Sequence, residues 1–164
     1  IEFVGSANAR TTNNTIEDCR VYGNYDGISI SNSNVFTIQD SEIDNNDFDG
    51  ISINDCTTQT SNGLITRNTI HDNFEVDHSD GISVQNCNPE ISRNKIYDNR
   101  FNVSLQAGTN ETTSPTIKNN LIYEVTPVVN PREVDYGILM GGDGTVIPKI
   151  YHNTIDGGRY DGIY

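Results

Sequence analysis

Histidine, arginine, carboxylate and tyrosine side chains converge in three neighbouring stretches, His71 to Asp80, Tyr97 to Phe101 and Tyr123 to Tyr136. Elsewhere the loops offer mainly Asn, Asp and Gly. His78 and Tyr136 are the acid and base candidates, because general acid–base catalysis needs a titratable group within hydrogen-bond reach of the moving proton. Arg100 and Arg132 are the candidate anion contacts, Asp80 an orienting carboxylate, and Phe74 and Phe101 rings on which a sugar could stack. Proton abstraction beside a sugar carboxylate requires a base and a cation that stabilises the developing charge. His78 with Arg100 or Arg132 would supply both. Glycosidic cleavage requires two carboxyl groups roughly 5 to 10 Å apart, which Asp80 and Asp135 would supply. A separate loop, Asp44-Asn45-Asn46-Asp47-Phe48-Asp49, concentrates oxygen ligands of the kind Ca²⁺ takes, with Asp44, Asp47 and Asp49 as the ligands. It lacks EF-hand spacing, and an ordinary solvated turn is the competing reading.

The elements that must position these groups form a repeat. Six aliphatic residues, Ile16, Ile38, Ile65, Ile91, Ile117 and Ile150, lead six copies, whose length varies from 22 (16 to 38) to 33 (117 to 150) residues. Five residues after each leader comes a second aliphatic: Val21, Ile43, Ile70, Ile96, Ile122 and Ile155. Three residues after each leader sits Cys19, Ser41, Asn68, Asn94, Asn120 or Asn153. A third apolar segment alternates with period two, in pairs such as Ile28/Ile30, Ile51/Ile53, Ile82/Val84, Val103/Leu105 and Ile138/Met140. Such a unit of three short strands cannot bury its apolar face alone, so neighbouring copies must stack. The expected fold is all-β, a single right-handed parallel β-helix of about six coils over residues 1–164, with Ile and Val ladders inside and an Asn ladder at a fixed bend. Neighbouring amides would satisfy one another there, as buried polar groups require. In this register the loops 71–80 and 123–136 belong to coils three and five and flank the short loop of coil four, which reads Phe101-Asn102 where coils one to three have Asp-Gly. Two raised walls over a low floor make a groove, and insertions in repeat folds often carry function. Tolerated surface insertions are the alternative.

Composition narrows the classes. A hydrophobic fraction of 34% without Trp suits thin ladders better than a globular core, and 22 Asn against 10 Lys plus Arg marks turns and amide ladders. The strict aliphatic registers argue against disorder, the other explanation of so polar a chain. A net charge of −13 argues against nucleic acid and anionic membranes, which are bound through Lys and Arg. It also disfavours an uncompensated polyanion, which leaves a neutral glycan or one bridged by a divalent cation, and the competing reading is an acidic surface that only keeps a secreted protein soluble. There is no transmembrane run, Ser/His/Asp order, phosphate-binding loop or Cys/His zinc spacing. The outward residues Ser29, Ser52, Ser83 and Ser104 of the third segment read as a hydroxyl ladder or a plain solvated face.

Segments such as Asn94-Lys95-Ile96-Tyr97-Asp98-Asn99 and Asp80-Gly81-Ile82-Ser83-Val84 carry a family resemblance across Thr11 to Tyr164. They resemble the right-handed β-helix repeats of carbohydrate-binding and sugar-processing proteins, a group that includes alginate C5-epimerases and lyases, pectin-active enzymes and NosD-like periplasmic proteins. The resemblance implies the fold and a polysaccharide partner. Where those epimerases have Asp-Pro-His, this chain has Asp77-His78 with no proline.

Two functions are expected from these readings. One is an extracellular β-helix that binds polysaccharide or serves as a structural rod; the other is a polysaccharide lyase, C5-epimerase or glycosidase working in the groove over coil four. Cys56 and Cys87 each lie three residues beyond the second aliphatic of the third segment, in consecutive coils, so they should stack, as a disulfide or as paired thiols, while Cys19 stays unpaired. The chain opens on the strand-like Ile1-Glu2-Phe3-Val4 without an initial Met and stops at Asp161-Gly162-Ile163-Tyr164. The expectation is uncapped ends that continue in a longer solenoid or stack end to end on copies of the chain.

Overall fold

A computed structural model describes residues 1–5, 11–33, 35–56, 62–74, 79–125, 136–157 and 160–164. The described chain contains strands and turns but no helix, and the three apolar segments of each copy stack into three parallel sheets. The first sheet takes Asn14–Glu17, Val35–Gln39, Asn62–Thr66, Glu90–Ser92, Thr116–Lys118 and Lys149–Tyr151. The second takes Arg20–Tyr22, Glu42–Asp44, Thr69–His71, Lys95–Tyr97, Leu121–Tyr123 and Thr154–Asp156. The third takes Glu2–Val4, Ile28–Ser31, Ile51–Asn54, Asp80–Gln85, Phe101–Ala107, Tyr136–Gly142 and Asp161–Ile163.

Register follows the repeat residue by residue. Ile16, Ile38, Ile65, Ile91, Ile117 and Ile150 pair in line in the first sheet. Val21, Ile43, Ile70, Ile96, Ile122 and Ile155 do so in the second. In the third, Ile28, Ile51, Ile82, Val103, Ile138 and Ile163 form one line. Because side chains alternate across a strand, these residues all turn inward, and most are fully buried in one continuous core.

One rule builds the corners. Two residues after an aliphatic the backbone turns left-handed, with φ of 52° at Asp18, 57° at Arg67, 59° at Arg93 and 56° at His152 in the first corner. Asn45, Asp72 and Asp98 do the same in the second corner, and Asn32, Asp55 and Asn86 in the third. The next residue then points inward as a ladder rung. In the first corner, the Nδ2 groups of Asn68, Asn94 and Asn120 donate to the Oδ1 of the following rung at 3.1, 3.0 and 3.0 Å. The same amides donate back to the carbonyls of Ile38, Ile65 and Ile91, at 2.9 Å each.

A second amide ladder, Asn24, Asn46, Asn73 and Asn99, fills the second corner, with Nδ2 to Oδ1 distances of 2.9 Å from Asn46 to Asn73 and 2.8 Å from Asn73 to Asn99. The sequence signal for it is as regular as that for the first: each Asn stands three residues beyond Val21, Ile43, Ile70 or Ile96. At coil five that position is Val125, and Asn99 donates instead to Asn102 Oδ1 at 3.0 Å. Coil four therefore departs from the Asp-Gly pattern because Asn102 supplies the last amide of the ladder. Asn102 is buried, which fits this structural role. Where the pattern does hold, glycine is needed for space: a Cβ on Gly50 would sit 2.7 Å from the Gly81 carbonyl oxygen and 2.8 Å from Asn73 Nδ2. In the third corner the rungs are Ser33, Cys56 and Cys87, and the two cysteines are joined as a disulfide with Cα atoms 4.9 Å apart. Cys19 is free and exposed.

Candidate functional site

The third sheet brings several of the sequence-predicted residues to one register. Asp80, Phe101, Tyr136 and Asp161 are consecutive rungs at its leading edge. Tyr136 is half-buried, its ring tilted against Phe101 at 5.8 Å and against Tyr160 and Tyr164 at 5.6 and 5.1 Å. Phe101 is itself buried, which makes it an internal rung of this aromatic column and not the open stacking platform the sequence suggested. The Arg100 guanidinium lies 5.7 Å from the Phe101 ring centre, and its charge acts on Asp80. Phe74 is half-buried just after the Asn73 rung. His78 and Arg132, with Asp77, Glu133 and Asp135, lie outside the described residues, and so do the upper parts of both predicted groove walls.

Asp80 departs from its expected role. Three aspartates stack in successive coils, each reaching to the backbone of the next: Asp26 Oδ1 accepts the Asp49 N–H at 3.4 Å and Asp49 Oδ1 accepts the Asp80 N–H at 3.0 Å. The series stops there because the Phe101 N–H is taken by the Ser79 carbonyl at 3.3 Å. Asp80 Oδ1 is left buried with no hydrogen-bond partner. Burial pushes the Asp80 carboxyl up to about 8, reinforced by the charge of Asp49, while Ser104, Ser83 and Arg100 pull the other way. Burial likewise raises Asp49 to about 7, aided by the charge of Asp26. Burial thus favours the protonated acid at Asp80, which opposes the part of an orienting carboxylate.

Asp44, Asp47 and Asp49 do not gather as a calcium site. Alternation and the corner send them apart: Asp49 joins the aspartate stack, Asp47 stays exposed, and Asp44 faces out from the second sheet with only 1% of its side chain exposed. Both Asp44 oxygens there accept from Arg20, at 3.0 and 2.8 Å. This bidentate pair holds Asp44 below the usual carboxylate range. Among the described residues, the side chains that converge as metal ligands are Glu42, Asp44 and His71, whose donor atoms all lie within 4.8 Å of one another.

The outer face of the third sheet carries two polar columns. Ser29, Ser52, Ser83 and Ser104 are in register, but Ser104 is 1% and Ser52 9% exposed, so this column is not simply solvated. Two residues further on, Ser31, Asn54, Gln85 and Gln106 form a parallel column in which the first three are half-buried and Gln106 is exposed. Asn54 Nδ2 donates to Ser52 Oγ at 3.3 Å and Gln106 Nε2 to Ser104 Oγ at 3.5 Å, which ties the columns together. Sequence reasoning stopped at the serines, although amides recur two positions beyond Ser52, Ser83 and Ser104.

Coiled parallel strands, inward aliphatic ladders and a flat polar outer face define the class as a parallel β-helix. The model of the right-handed β-helix region matches residues 1–164, and the chain belongs to that family, which also sets the hand of the coil. No curated protein and no solved structure matches the chain. Membership fits a polysaccharide-related or a structural role.

Proposed function

We propose that this chain is an extracellular β-helix module that binds polysaccharide along the outer face of its third sheet. The observation that carries the reading is the accessible column Ser31, Asn54, Gln85 and Gln106, repeated once per coil beside the serines. Amides and hydroxyls both donate and accept hydrogen bonds, which suits the mixed hydroxyl edges of a sugar chain, and parallel pairing spaces them about 4.8 Å apart. A structural rod needs the core and corner ladders but not this neutral strip. The disulfide supports an oxidising, extracellular setting. Replacing Gln85 and Gln106 together by Ala should weaken binding to a responsive neutral glycan about tenfold, which is about 1.4 kcal/mol, with the melting temperature unchanged because both side chains sit outside the core. Undiminished affinity of the double variant, measured by calorimetry over a glycan panel, would remove the strip from the function.

A second reading, cleavage of the bound glycan, is favoured by the orphaned Asp80 Oδ1, because a carboxyl that burial holds toward its protonated form can serve as a proton donor. Reducing-end and unsaturated-uronate assays on wild type and Asp80→Asn decide it. Turnover that disappears in the variant supports cleavage through Asp80; equal turnover in both chains removes Asp80 from the chemistry, and absent turnover leaves a binding module.

A further inference from the structure

On the outer face of the second sheet, away from the proposed glycan strip, Glu42 and Asp44 flank the inward Ile43 on one strand, and His71 stands beside Asp44 on the next. Their ligand atoms lie within 4.8 Å of one another. The imidazole of His71 is held on three sides. Its plane stacks on Tyr97 at 4.7 Å and 3°, Nδ1 lies 2.8 Å from Asp72 Oδ2, and Nε2 lies 3.3 Å from Glu42 Oε1.

A carboxylate that accepts a hydrogen bond from Nδ1–H leaves Nε2 to face a metal, which is the arrangement metal-ligating histidines use. With Asp72 as that partner, Nε2 and Glu42 Oε1 stand 3.3 Å apart, close enough to share one cation. Three carboxylates (Glu42, Asp44 and Asp72) against one guanidinium (Arg20) surround the imidazole, an anionic setting that favours a cation. Arg20 already rests on this face, 2.8 Å from Asp44 and 3.7 Å from Glu42, with half of its side chain exposed and able to swing away.

We propose that Glu42, Asp44 and His71 form a binding site for a divalent transition metal such as Zn²⁺, with Asp72 orienting the histidine and Arg20 as a built-in competitor. One imidazole nitrogen with two carboxylate oxygens is a ligand set Zn²⁺ and Co²⁺ accept, whereas Ca²⁺ prefers six to eight oxygens. Titration of the whole chain with Zn²⁺ by calorimetry, and with Co²⁺ by its visible absorption, tests the site. The expected result is one ion per chain, at least tenfold weaker binding in both His71→Ala and Glu42→Gln, and tighter binding in Arg20→Ala. The proposal is overturned if the native chain binds neither ion, even should Arg20→Ala do so. It is also overturned if affinity is the same in both ligand variants, or if Ca²⁺ binds as tightly and without regard to His71. Glycan binding through the third sheet is measured separately, so either idea can fail alone.

Discussion

Asp80 is buried with an unpartnered oxygen and above an ionisable Asp49, and both carboxyls resist ionisation in the folded chain. An unfolded aspartate ionises near pH 3.9. Between about pH 4 and the folded values of about 7 and 8, the unfolded chain therefore holds fewer protons than the folded one, and stability falls as pH rises. Each proton contributes a slope of about 1.4 kcal/mol per pH unit. Asp44, Asp40 and Glu90, whose ion pairs hold them below their ordinary values, act in the opposite window: their contribution is present above about pH 4 and is lost in acid. Asp80→Asn should remove about one proton's worth of the neutral-range slope and leave the acid limb unchanged, as read from urea midpoints across pH. An unaltered slope would mean that Asp80 ionises normally. Nothing in the sequence foretold this state, since Asp26, Asp49, Asp80 and Asp161 look alike before Gly. What sets Asp80 apart is the next coil, where Phe101 directs its N–H to Ser79.

At the scale of the corner, a left-handed residue followed by an inward rung recurs in all three bends, and its energetics can be tested piece by piece. Asn73 donates to Asn99 and to the Ile43 carbonyl and accepts from Asn46, all in the interior. Asn73→Ala would strand several buried groups at a desolvation cost of about 1–3 kcal/mol each, so a loss of at least about 2 kcal/mol is expected in urea unfolding. Arg93 gives the converse case, because it holds φ at 59°, where a side chain costs roughly 1–2 kcal/mol unless it is Gly, Asn or Asp. Arg93→Asn should gain about 0.5–1 kcal/mol; a loss would show that Arg93 contributes a contact outweighing its strain. The strands, their order and their registers were legible because the offset from each leader to its second aliphatic never varies. The first amide ladder was legible for the same reason. The second was overlooked because Val125 interrupts the count at coil five, and the departure at Asn102 then looked like a functional mark when it is the repair of that gap.

Over the whole molecule, the candidate site was less legible than the fold because a site depends on which rungs remain accessible. Phe101 and Asp80 were picked out by residue type, yet stacking buries both, while Gln85 and Gln106 drew no notice, although Gln85 is half-exposed and Gln106 exposed. Asp44 was paired by sequence proximity with Asp47 and Asp49, but alternation turns it toward a strand 27 residues away, where it meets His71. Charge acts at this same scale. The chain carries −13, and its exposed strip is formed by neutral Ser, Asn and Gln side chains. A neutral glycan on that strip would make hydrogen bonds that mobile ions scarcely screen, so its affinity should stay level between about 0.01 and 1 M salt. A polyuronate would approach against the net charge; its binding should be weak at low ionic strength and strengthen as salt screens the repulsion. Affinity for each polymer measured across that range separates the cases. Binding of a polyuronate that weakens with added salt would indicate a cationic recognition surface and place the site elsewhere than the neutral strip.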